Sequence, residues 1–176
     1  LLSFYERKHP LYPFSYVEAN STKKHTIVVA STGAGKTDYL LRRCKGRVFY
    51  TLPFQASINA MYRRLGKDLE KDNPNIDIRV QHASSVVVKR NSDDDVSLQN
   101  LMGASLKVLT PHQLAALAFG LKGYEALILD IRGCDVILDE IHTYSGVSQA
   151  LVLKIIEVLN RLDCRIHVGT ATMPTI

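Results

Sequence analysis

The stretch TIVVASTGAGKTDYL, residues 26–40, decides the fold, because an apolar run leads into a glycine loop and then into a helix-like segment. A phosphate-binding loop requires this order of strand, loop and helix. Gly33 and Gly35 permit backbone conformations in which successive amide groups point at phosphate oxygens. Lys36 adds a positive charge for the β- and γ-phosphates, and Thr37 adds a hydroxyl group for Mg²⁺. The sequence predicts a site for ATP and Mg²⁺ formed by Ser31, Thr32, Gly33, Ala34, Gly35, Lys36 and Thr37.

Short apolar and β-branched runs alternate with helix-like segments along the rest of the chain. Strands are predicted at 26–30, 47–52, 76–81, 106–109, 134–138 and 165–169. Apolar residues at helical spacing predict an amphipathic helix over 54–71, and residues 147–162, apolar almost all round, predict a well-buried helix. A charge run within 83–104 interrupts the pattern and predicts a surface excursion. The alternation predicts an α/β fold, a mostly parallel, twisted sheet with helices on both faces.

Length and composition limit the class of protein. The 176 residues suffice for one domain, which we place at 25–176 after a lead-in segment at 1–24. Lys and Arg exceed Asp and Glu by 22 − 17, so the net charge of +5 permits a polyanionic partner without requiring one. Three cysteines without a C-x-x-C pair favour a reducing cytoplasm over a disulfide-bonded secreted state. No apolar run approaches the ~20 residues that cross a bilayer, so no membrane partner is expected.

The stretch CDVILDEIHTYSG, residues 134–146, carries the second group of candidate site residues, because its apolar run ends in two acids, Asp139 and Glu140. Ligands of parallel α/β sheets lie at the carboxyl ends of the strands, where these acids stand. If this strand lies close to the strand at 26–30, Asp139 can reach Mg²⁺ through water, together with Thr37. Glu140 can then orient a water that attacks the γ-phosphate, or accept its proton. An acidic helix start that complements the helix dipole is the alternative interpretation.

His142 follows the acid pair by two residues, and Thr170 and Thr172 end the last predicted strand on the same rim. A neutral imidazole can relay a hydrogen bond. We expect His142 to bond one of these threonines or its backbone, and so to couple the hydrolytic site to a neighbouring surface. A packed or solvated histidine is the alternative. The catalytic set itself is predicted to be Lys36, Asp139 and Glu140.

Together the motifs ASTGAGKT, ILDEIH and GTATMP, in this order and spacing, resemble the first RecA-like domain of superfamily 2 helicases. Ala30 stands where the strict phosphate-loop pattern has glycine, a form typical of helicase-type motors. TLPFQASINAMYRR resembles motif Ia and VLTPHQL resembles motif Ib, so the resemblance covers most of residues 26–175. DEIH followed by Thr-Tyr, with TATMP after it and His82 after its strand, is similar to the CRISPR-associated helicase-nuclease family of type I interference systems.

The resemblance implies an ATP-driven, 3′-to-5′ translocase on single-stranded DNA that is recruited to a target-bound CRISPR surveillance complex. Motifs Ia and Ib of such motors contact the nucleic-acid backbone, through amides, helix starts and hydroxyl groups. Carried over residue by residue, the candidate DNA contacts are Thr51, Pro53, Gln55, Thr110 and Gln113. Ordinary turn and cap chemistry is the alternative for these residues, because proline suits a first helical turn and Thr110 suits an N-cap.

The sequence departs from the family pattern in three respects. No adenine-reading glutamine motif precedes the phosphate loop, although Tyr12, Phe14 and Tyr16 could supply a stacking surface. No His-Asp dipeptide occurs, so the family's metal-dependent HD nuclease is expected to lie outside this sequence, as is the second RecA-like domain with its arginine fingers. Such arginines contribute roughly 10³–10⁵ in rate in related phosphoryl-transfer enzymes. We therefore expect the 176-residue chain alone to bind ATP weakly and to hydrolyse it negligibly.

Two other functions fit part of this pattern. A DEAH/DEAD-type RNA helicase domain would keep the motor and change the nucleic acid. Such proteins usually carry serine where this chain has Thr170, and they commonly carry the adenine-reading glutamine. A non-hydrolysing nucleotide-binding interaction module would keep the fold and lose ATP hydrolysis. Against it, the loop pair at 36–37 and the acid pair at 139–140 are intact, whereas a decayed motor is expected to lose at least one of these residues.

Overall fold

The structure, a computed structural model, describes residues 12–18, 21–69, 73, 76–80 and 105–172. The surface excursion predicted at 83–104 and the family histidine His82 lie outside the described residues. The same holds for most of the predicted lead-in segment at 1–24.

Six parallel strands form one sheet in the described part of the chain. They are β1 Thr26–Val29, β2 Val48–Thr51, β3 Ile78–Val80, β4 Leu106–Leu109, β5 Asp135–Leu138 and β6 Arg165–Thr170. Their order across the sheet is β1-β6-β5-β2-β4-β3. Every predicted strand is present, with its ends shifted by no more than two residues, and every pairing is parallel. The predicted α/β fold with a parallel sheet is confirmed.

Helices and short 3₁₀ turns connect the strands. The α-helices of the described residues are α1 Lys36–Arg43, α2 Gln55–Leu69, α3 Ala115–Phe119, α4 Tyr124–Ile131 and α5 Gly146–Arg161. The 3₁₀ turns lie at Pro13–Tyr16, Pro111–Leu114 and Ile141–Thr143. The amphipathic helix predicted at 54–71 is α2, which buries Ile58, Leu65 and Leu69. Among these described helices, none has both the length and the apolar composition that would let it cross a membrane.

The alternation of side chains along the strands builds two cores, one on each face of the sheet. Helices α1 and α2 cover the first face, where Leu40 and Ile58 pack against Tyr50 of β2 and Ile137 of β5. Helices α3, α4 and α5 cover the second face, whose fully buried residues include Phe49, Val136, Leu138, Ile155 and Leu159. Each fully buried aliphatic side chain contributes roughly 1.5–3 kcal/mol relative to exposure. The prediction of helices on both faces is therefore confirmed.

The prediction that the helix at 147–162 is well buried is wrong. Helix α5 buries one side, with Leu151, Val152, Ile155 and Leu159 against the sheet. Its other side faces solvent, and this side includes apolar residues: Val147 is 88% exposed and Leu153 is 60% exposed. Apolar residues on all sides of a helix predict contacts on all sides, but in the described part of the chain α5 is packed by the sheet and by helix α3, and its remaining side faces solvent.

The strand order brings the phosphate loop and the acid pair to the same edge of the sheet. Strand β6 lies between β1 and β5, with Val29 of β1 beside Thr170 and Leu138 of β5 beside Val168. The loop after β1 and Asp139 after β5 therefore emerge at neighbouring carboxyl ends. The two strands are close but not adjacent, because β6 separates them.

Candidate active site

The phosphate loop turns into α1 through two glycines with positive φ. Gly33 has φ 83° and Gly35, the N-cap of α1, has φ 94°. L-residues with a Cβ rarely adopt such angles, so the loop shape depends on glycine at both positions. The loop is closed by the Ala34 amide, which donates to the Ser31 carbonyl at 3.3 Å. Lys36 begins the helix directly after the loop.

The segment before β1 packs against this loop. The Phe14 amide donates to the Ala34 carbonyl at 3.2 Å, and the Phe14 ring meets the Tyr39 ring edge-on at 5.7 Å. A Cβ at Gly35 would lie 2.5 Å from Tyr12 Cβ, so the segment approaches the loop too closely for any side chain there. Of the three aromatic residues considered for base stacking, Tyr12 lines the site cavity, Phe14 packs inward and Tyr16 is 73% exposed.

A cavity of about 520 Å³ lies between the phosphate loop, helix α2 and the acid pair. Its charged lining combines cations from two helices with the two acids that follow β5: Lys36, Arg64, Asp139 and Glu140. Thr37, Pro53 and Thr143 also line it. The cavity therefore places phosphate-binding groups opposite carboxylates, as a site for a nucleotide with a divalent cation requires.

Asp139 is the most enclosed of the predicted catalytic groups, with 3% of its surface exposed. Its Oδ1 accepts from the Glu140 amide at 2.9 Å, and its Oδ2 accepts from the Tyr50 hydroxyl at 2.5 Å. The Tyr50 oxygen lies 3.5 Å from Thr37 Oγ1. Burial raises the pKa of Asp139, and the Tyr50 hydrogen bond opposes that shift. Thr37 and Asp139 thus contact one hydroxyl group, and both offer the oxygen ligands that Mg²⁺ prefers.

Glu140 links the phosphate loop to His142. Its Oε1 lies 3.4 Å from Lys36 Nζ, and its Oε2 lies 3.3 Å from His142 Nε2. The backbone of Glu140 is left-handed, with φ 56° and ψ 37°. This conformation costs a residue with a side chain roughly 1–2 kcal/mol, and such strain is concentrated at functional sites. The turn directs the Glu140 carboxylate into the cavity beside Lys36.

His142 contacts the end of β6. Its Nδ1 lies 3.2 Å from Thr170 Oγ1 and accepts from the Ala171 amide at 3.3 Å. Because that amide is a donor, Nδ1 is the acceptor nitrogen and Nε2 carries the proton that faces Glu140. Thr170 Oγ1 in turn donates to the Thr172 carbonyl at 2.5 Å. The structure places His142 between Glu140 and β6, and the coupling role of the three residues stays a prediction.

Several candidate DNA contacts have structural partners. Thr51 is fully buried and donates to the Ile137 carbonyl at 2.9 Å. Thr110 is the N-cap of the turn Pro111–Leu114, and its amide donates to Gln113 Oε1 at 2.7 Å. The turn and cap chemistry is present at Thr110 and Gln113, whereas Thr51 lies in β2 and has no exposed atom for a phosphate.

The remaining two candidates, Pro53 and Gln55, lie where β2 passes into α2. Pro53 is partly exposed and lines the nucleotide cavity, and Gln55 is the first residue of α2. The ends of β2 and β4 are neighbours, since the Leu52 amide donates to the Leu109 carbonyl at 3.0 Å. The two predicted motif segments therefore share one rim of the sheet, and their contact with DNA stays a prediction.

Sequence reasoning missed two residues that shape this site. Tyr50 was counted only as part of a strand, although its hydroxyl joins Thr37 to Asp139. Gly169 of β6 leaves space for the carboxylate, because a Cβ there would lie 2.5 Å from Asp139 Oδ1 and 2.9 Å from Leu40 Cδ1. The contact between Tyr50 and Asp139 depends on strand order, which local sequence spacing does not determine.

Comparison with known proteins identifies the family that carries this site. The sequence profile of the DEAD/DEAH box helicases matches residues 15–176. The chain belongs to the DEAD/DEAH box helicase family. It is 31% identical over 163 residues to the CRISPR-associated nuclease/helicase Cas3 of Methanothermobacter thermautotrophicus, over 86% of this chain and 20% of that protein. The chain spans about a fifth to a quarter of the length of the curated relatives it matches.

Solved structures agree with this DEAD/DEAH box assignment at the level of the fold. The crystal structure of T. fusca Cas3-ADP superposes with a TM-score of 0.69 at 19% identity, over 85% of this chain and 18% of that one. Mycobacterium smegmatis helicase Lhr bound to ssDNA and AMP-PNP superposes with a TM-score of 0.59 at 21% identity, over 84% of this chain and 21% of that one. The family match confirms the predicted superfamily, and the superpositions confirm its RecA-like fold.

Proposed function

We propose that this chain is the ATP-binding motor domain of an ATP-dependent translocase on single-stranded DNA that acts in type I CRISPR interference. The observation that carries the proposal is the cavity in which Lys36 of the phosphate loop meets Asp139 and Glu140. Similarity to Cas3 supports the CRISPR setting, and the single-stranded DNA in the Lhr structure supports the nucleic acid. The three cysteines, all buried and free, support a reducing cytoplasm.

The phosphate loop and the first turn of α1 would bind ATP. The loop amides from Ser31 to Gly35 and the Lys36 ammonium would hold the phosphates at the start of the helix, where its dipole favours anions. Tyr12 lines the cavity and offers a ring to the base. Thr37 and Asp139 would hold Mg²⁺, which neutralises charge on the transferring phosphoryl group when bound.

Glu140 is the residue we assign to the attacking water. Its carboxylate can hold the water by a hydrogen bond and take its proton as the bond from the water oxygen to the γ-phosphorus forms and the bond from that phosphorus to the leaving ADP oxygen breaks. In the structure, one oxygen of Glu140 faces Lys36 and the other faces His142. Lys36 must exchange Glu140 for phosphate oxygens, which frees a carboxylate oxygen for the water. His142 then holds the other oxygen through Nε2 and, through its Nδ1 contact with Thr170, couples the position of Glu140 to β6.

Single-stranded DNA would lie along the carboxyl rim, near Pro53, Gln55 and the turn that begins after Thr110. Backbone amides and helix starts on this rim suit phosphates and carry no base specificity. A second RecA-like domain of the same protein and a target-bound CRISPR surveillance complex are the partners that the Cas3 similarity supports.

Nucleotide binding and nucleic-acid stimulation test the proposal separately. The 176-residue chain should bind a fluorescent ATP analogue weakly, and Lys36→Ala should abolish that binding. The chain alone should hydrolyse ATP negligibly, so Lys36-dependent turnover comparable to that of the whole protein would contradict the expectation. In the whole protein, ATPase activity should rise with single-stranded DNA and not with RNA. Stimulation by RNA alone would favour the DEAH/DEAD RNA helicase, and binding without turnover would favour the interaction module.

A further inference from the structure

Tyr50 is a polar side chain in the centre of the sheet, and its ring is fully buried. It lies on β2, paired with Ile137 of β5 and Val108 of β4. An apolar residue would fill this position without a hydroxyl group that needs a partner. The Tyr50 hydroxyl finds its partners at the carboxyl rim, 2.5 Å from Asp139 Oδ2 and 3.5 Å from Thr37 Oγ1.

Few contacts other than the Tyr50 hydrogen bond fix the orientation of the Asp139 carboxylate. Its second oxygen accepts from the Glu140 amide at 2.9 Å, which fixes one end of the carboxylate to the backbone. Lys36 is nearby, but its ammonium contacts Glu140. Rotation of the carboxylate is limited by Tyr50 on one oxygen and by the close approach of Gly169 to the other. Within the part of the chain that the structure describes, Tyr50 is therefore the side chain that donates a hydrogen bond to the Asp139 carboxylate.

We infer that Tyr50 is a positioning residue for the divalent cation, because its hydroxyl holds the Asp139 carboxylate and the Thr37 hydroxyl in the arrangement that binds Mg²⁺. The inference rests on the proposed function, since Mg²⁺ enters this site with the nucleotide. Tyr50 touches neither the nucleotide nor the reacting atoms, so it acts through Asp139 and Thr37. The single Tyr50 proton goes to Asp139 Oδ2, so the Thr37 hydroxyl can donate to the Tyr50 oxygen, and each ligand oxygen keeps a lone pair for Mg²⁺ or its bound water.

Loss of the Tyr50 hydroxyl should lower the affinity for the cation and leave the affinity for the nucleotide unchanged. Residues that orient metal ligands through hydrogen bonds typically contribute 10–100-fold to metal affinity. We therefore expect Tyr50→Phe to weaken the apparent affinity for Mg²⁺ by roughly that factor in the presence of nucleotide. Phenylalanine keeps the aromatic ring packed in the core, so the phosphate loop and Lys36 should stay in place. Nucleotide affinity in EDTA should consequently stay unchanged.

The test measures binding of N-methylanthraniloyl-ADP to the 176-residue chain, in EDTA and over a Mg²⁺ titration. Tyr50→Phe should match the wild-type chain in EDTA and require more Mg²⁺ to reach the same binding. Tyr62→Phe is the matched control, because Tyr62 lies on α2 with 38% of its surface exposed and should behave as wild type. Equal weakening of Tyr50→Phe with and without Mg²⁺ would indicate a packing role and overturn the inference.

A double variant tests the route through Asp139. Asp139→Asn should reduce the Mg²⁺ effect by itself, and adding Tyr50→Phe should reduce it no further. An additional loss in the double variant would overturn the inference. If Tyr50→Phe does not fold, Tyr50→Met removes the same hydroxyl and fills the position with a smaller, flexible apolar side chain, and the same outcomes apply.

Failure of the proposed function has a different signature. A wild-type chain that binds no nucleotide at millimolar concentration contradicts the proposed function. A wild-type chain that binds nucleotide with no Mg²⁺ effect, or a Tyr50→Phe variant with the wild-type Mg²⁺ titration, leaves the nucleotide site standing and overturns the inference about Tyr50.

Discussion

Replacing Asp135 by asparagine should destabilise this fold from the edge opposite the nucleotide cavity. Asp135 begins β5 and is fully buried. Its carboxylate accepts from the Arg165 guanidinium at 2.6 and 2.8 Å and from the amides of Lys45 and Gly46 at 2.9 and 3.0 Å. His167 Nε2 lies 2.8 Å away. Burial would raise the pKa of Asp135, but the hydrogen bonds from His167 and Arg165 outweigh it and hold the value at about 2.

Two independent considerations give the magnitude. Removing one partner of a buried ion pair costs about 3–5 kcal/mol, because the remaining charge loses its compensation. The Arg165 side chain is 30% exposed, so water screens part of that loss and the cost should lie near the lower value. The pKa shift of Asp135 from 3.8 to about 2 corresponds to roughly 2–3 kcal/mol. We therefore expect Asp135→Asn to lower the free energy of unfolding by roughly 3 kcal/mol at pH 7.

The pH dependence follows from the direction of the shift. The pKa of Asp135 is lower in the folded chain than in the unfolded chain, so the unfolded chain takes up the proton first as the pH falls. The stabilisation is complete above the ordinary value of 3.8 and is lost as the pH falls towards about 2. The difference in stability between the wild-type chain and Asp135→Asn should therefore narrow over that interval.

Urea unfolding followed by circular dichroism, at pH 7 and at steps from pH 4 to pH 2, measures this difference. Asp163→Asn is the control, because Asp163 makes the same kind of ion pair, with Lys24, on the surface of the protein. It should leave the free energy of unfolding nearly unchanged. The reasoning is refuted if Asp135→Asn costs no more than the control, or if its cost is the same at pH 2 as at pH 7.

Two glycines give sharper tests of the site geometry. Gly169→Ala should destabilise the fold by about 1–3 kcal/mol in urea unfolding, because the new methyl group would overlap Asp139 Oδ1; unchanged stability together with unchanged Mg²⁺ dependence would contradict this. Gly35→Ala should weaken binding of the fluorescent ADP analogue even in EDTA, because φ 94° and the contact with Tyr12 both exclude a Cβ. Wild-type affinity of Gly35→Ala would show that the loop does not need its observed shape.

The parts of the fold that sequence predicts well are those that local spacing determines. The strand–loop–helix order around Lys36 and Thr37 is contiguous, so its geometry follows from neighbouring residues. All six strands were recognised from short apolar runs for the same reason. The prediction that α5 is well buried was wrong, because the composition around a helix does not determine how many neighbours the helix has. Leu153 of α5 is accordingly 60% exposed.

The contacts that sequence did not predict join distant residues through strand order and register. Tyr50 and Asp139 are 89 positions apart, and they meet because β2 and β5 are neighbours with Tyr50 beside Ile137. The burial of Thr51 has the same origin, since its partner carbonyl also belongs to Ile137. Motif resemblance assigns the segment a role, but it does not tell which of its side chains point into the sheet.

Two buried aspartates lie at opposite ends of β5, Asp135 as its first residue and Asp139 directly after it, and their surroundings explain why one of them suits a cation. Asp135 lies near Cys44 and His167, a group with the spacing of metal ligands, yet its carboxylate is already paired with the Arg165 guanidinium. A metal ion there would have to displace that charge from a closed site. Asp139, four residues on, accepts from neutral donors, and burial raises its pKa. Its negative charge is left for a cation that arrives with the nucleotide.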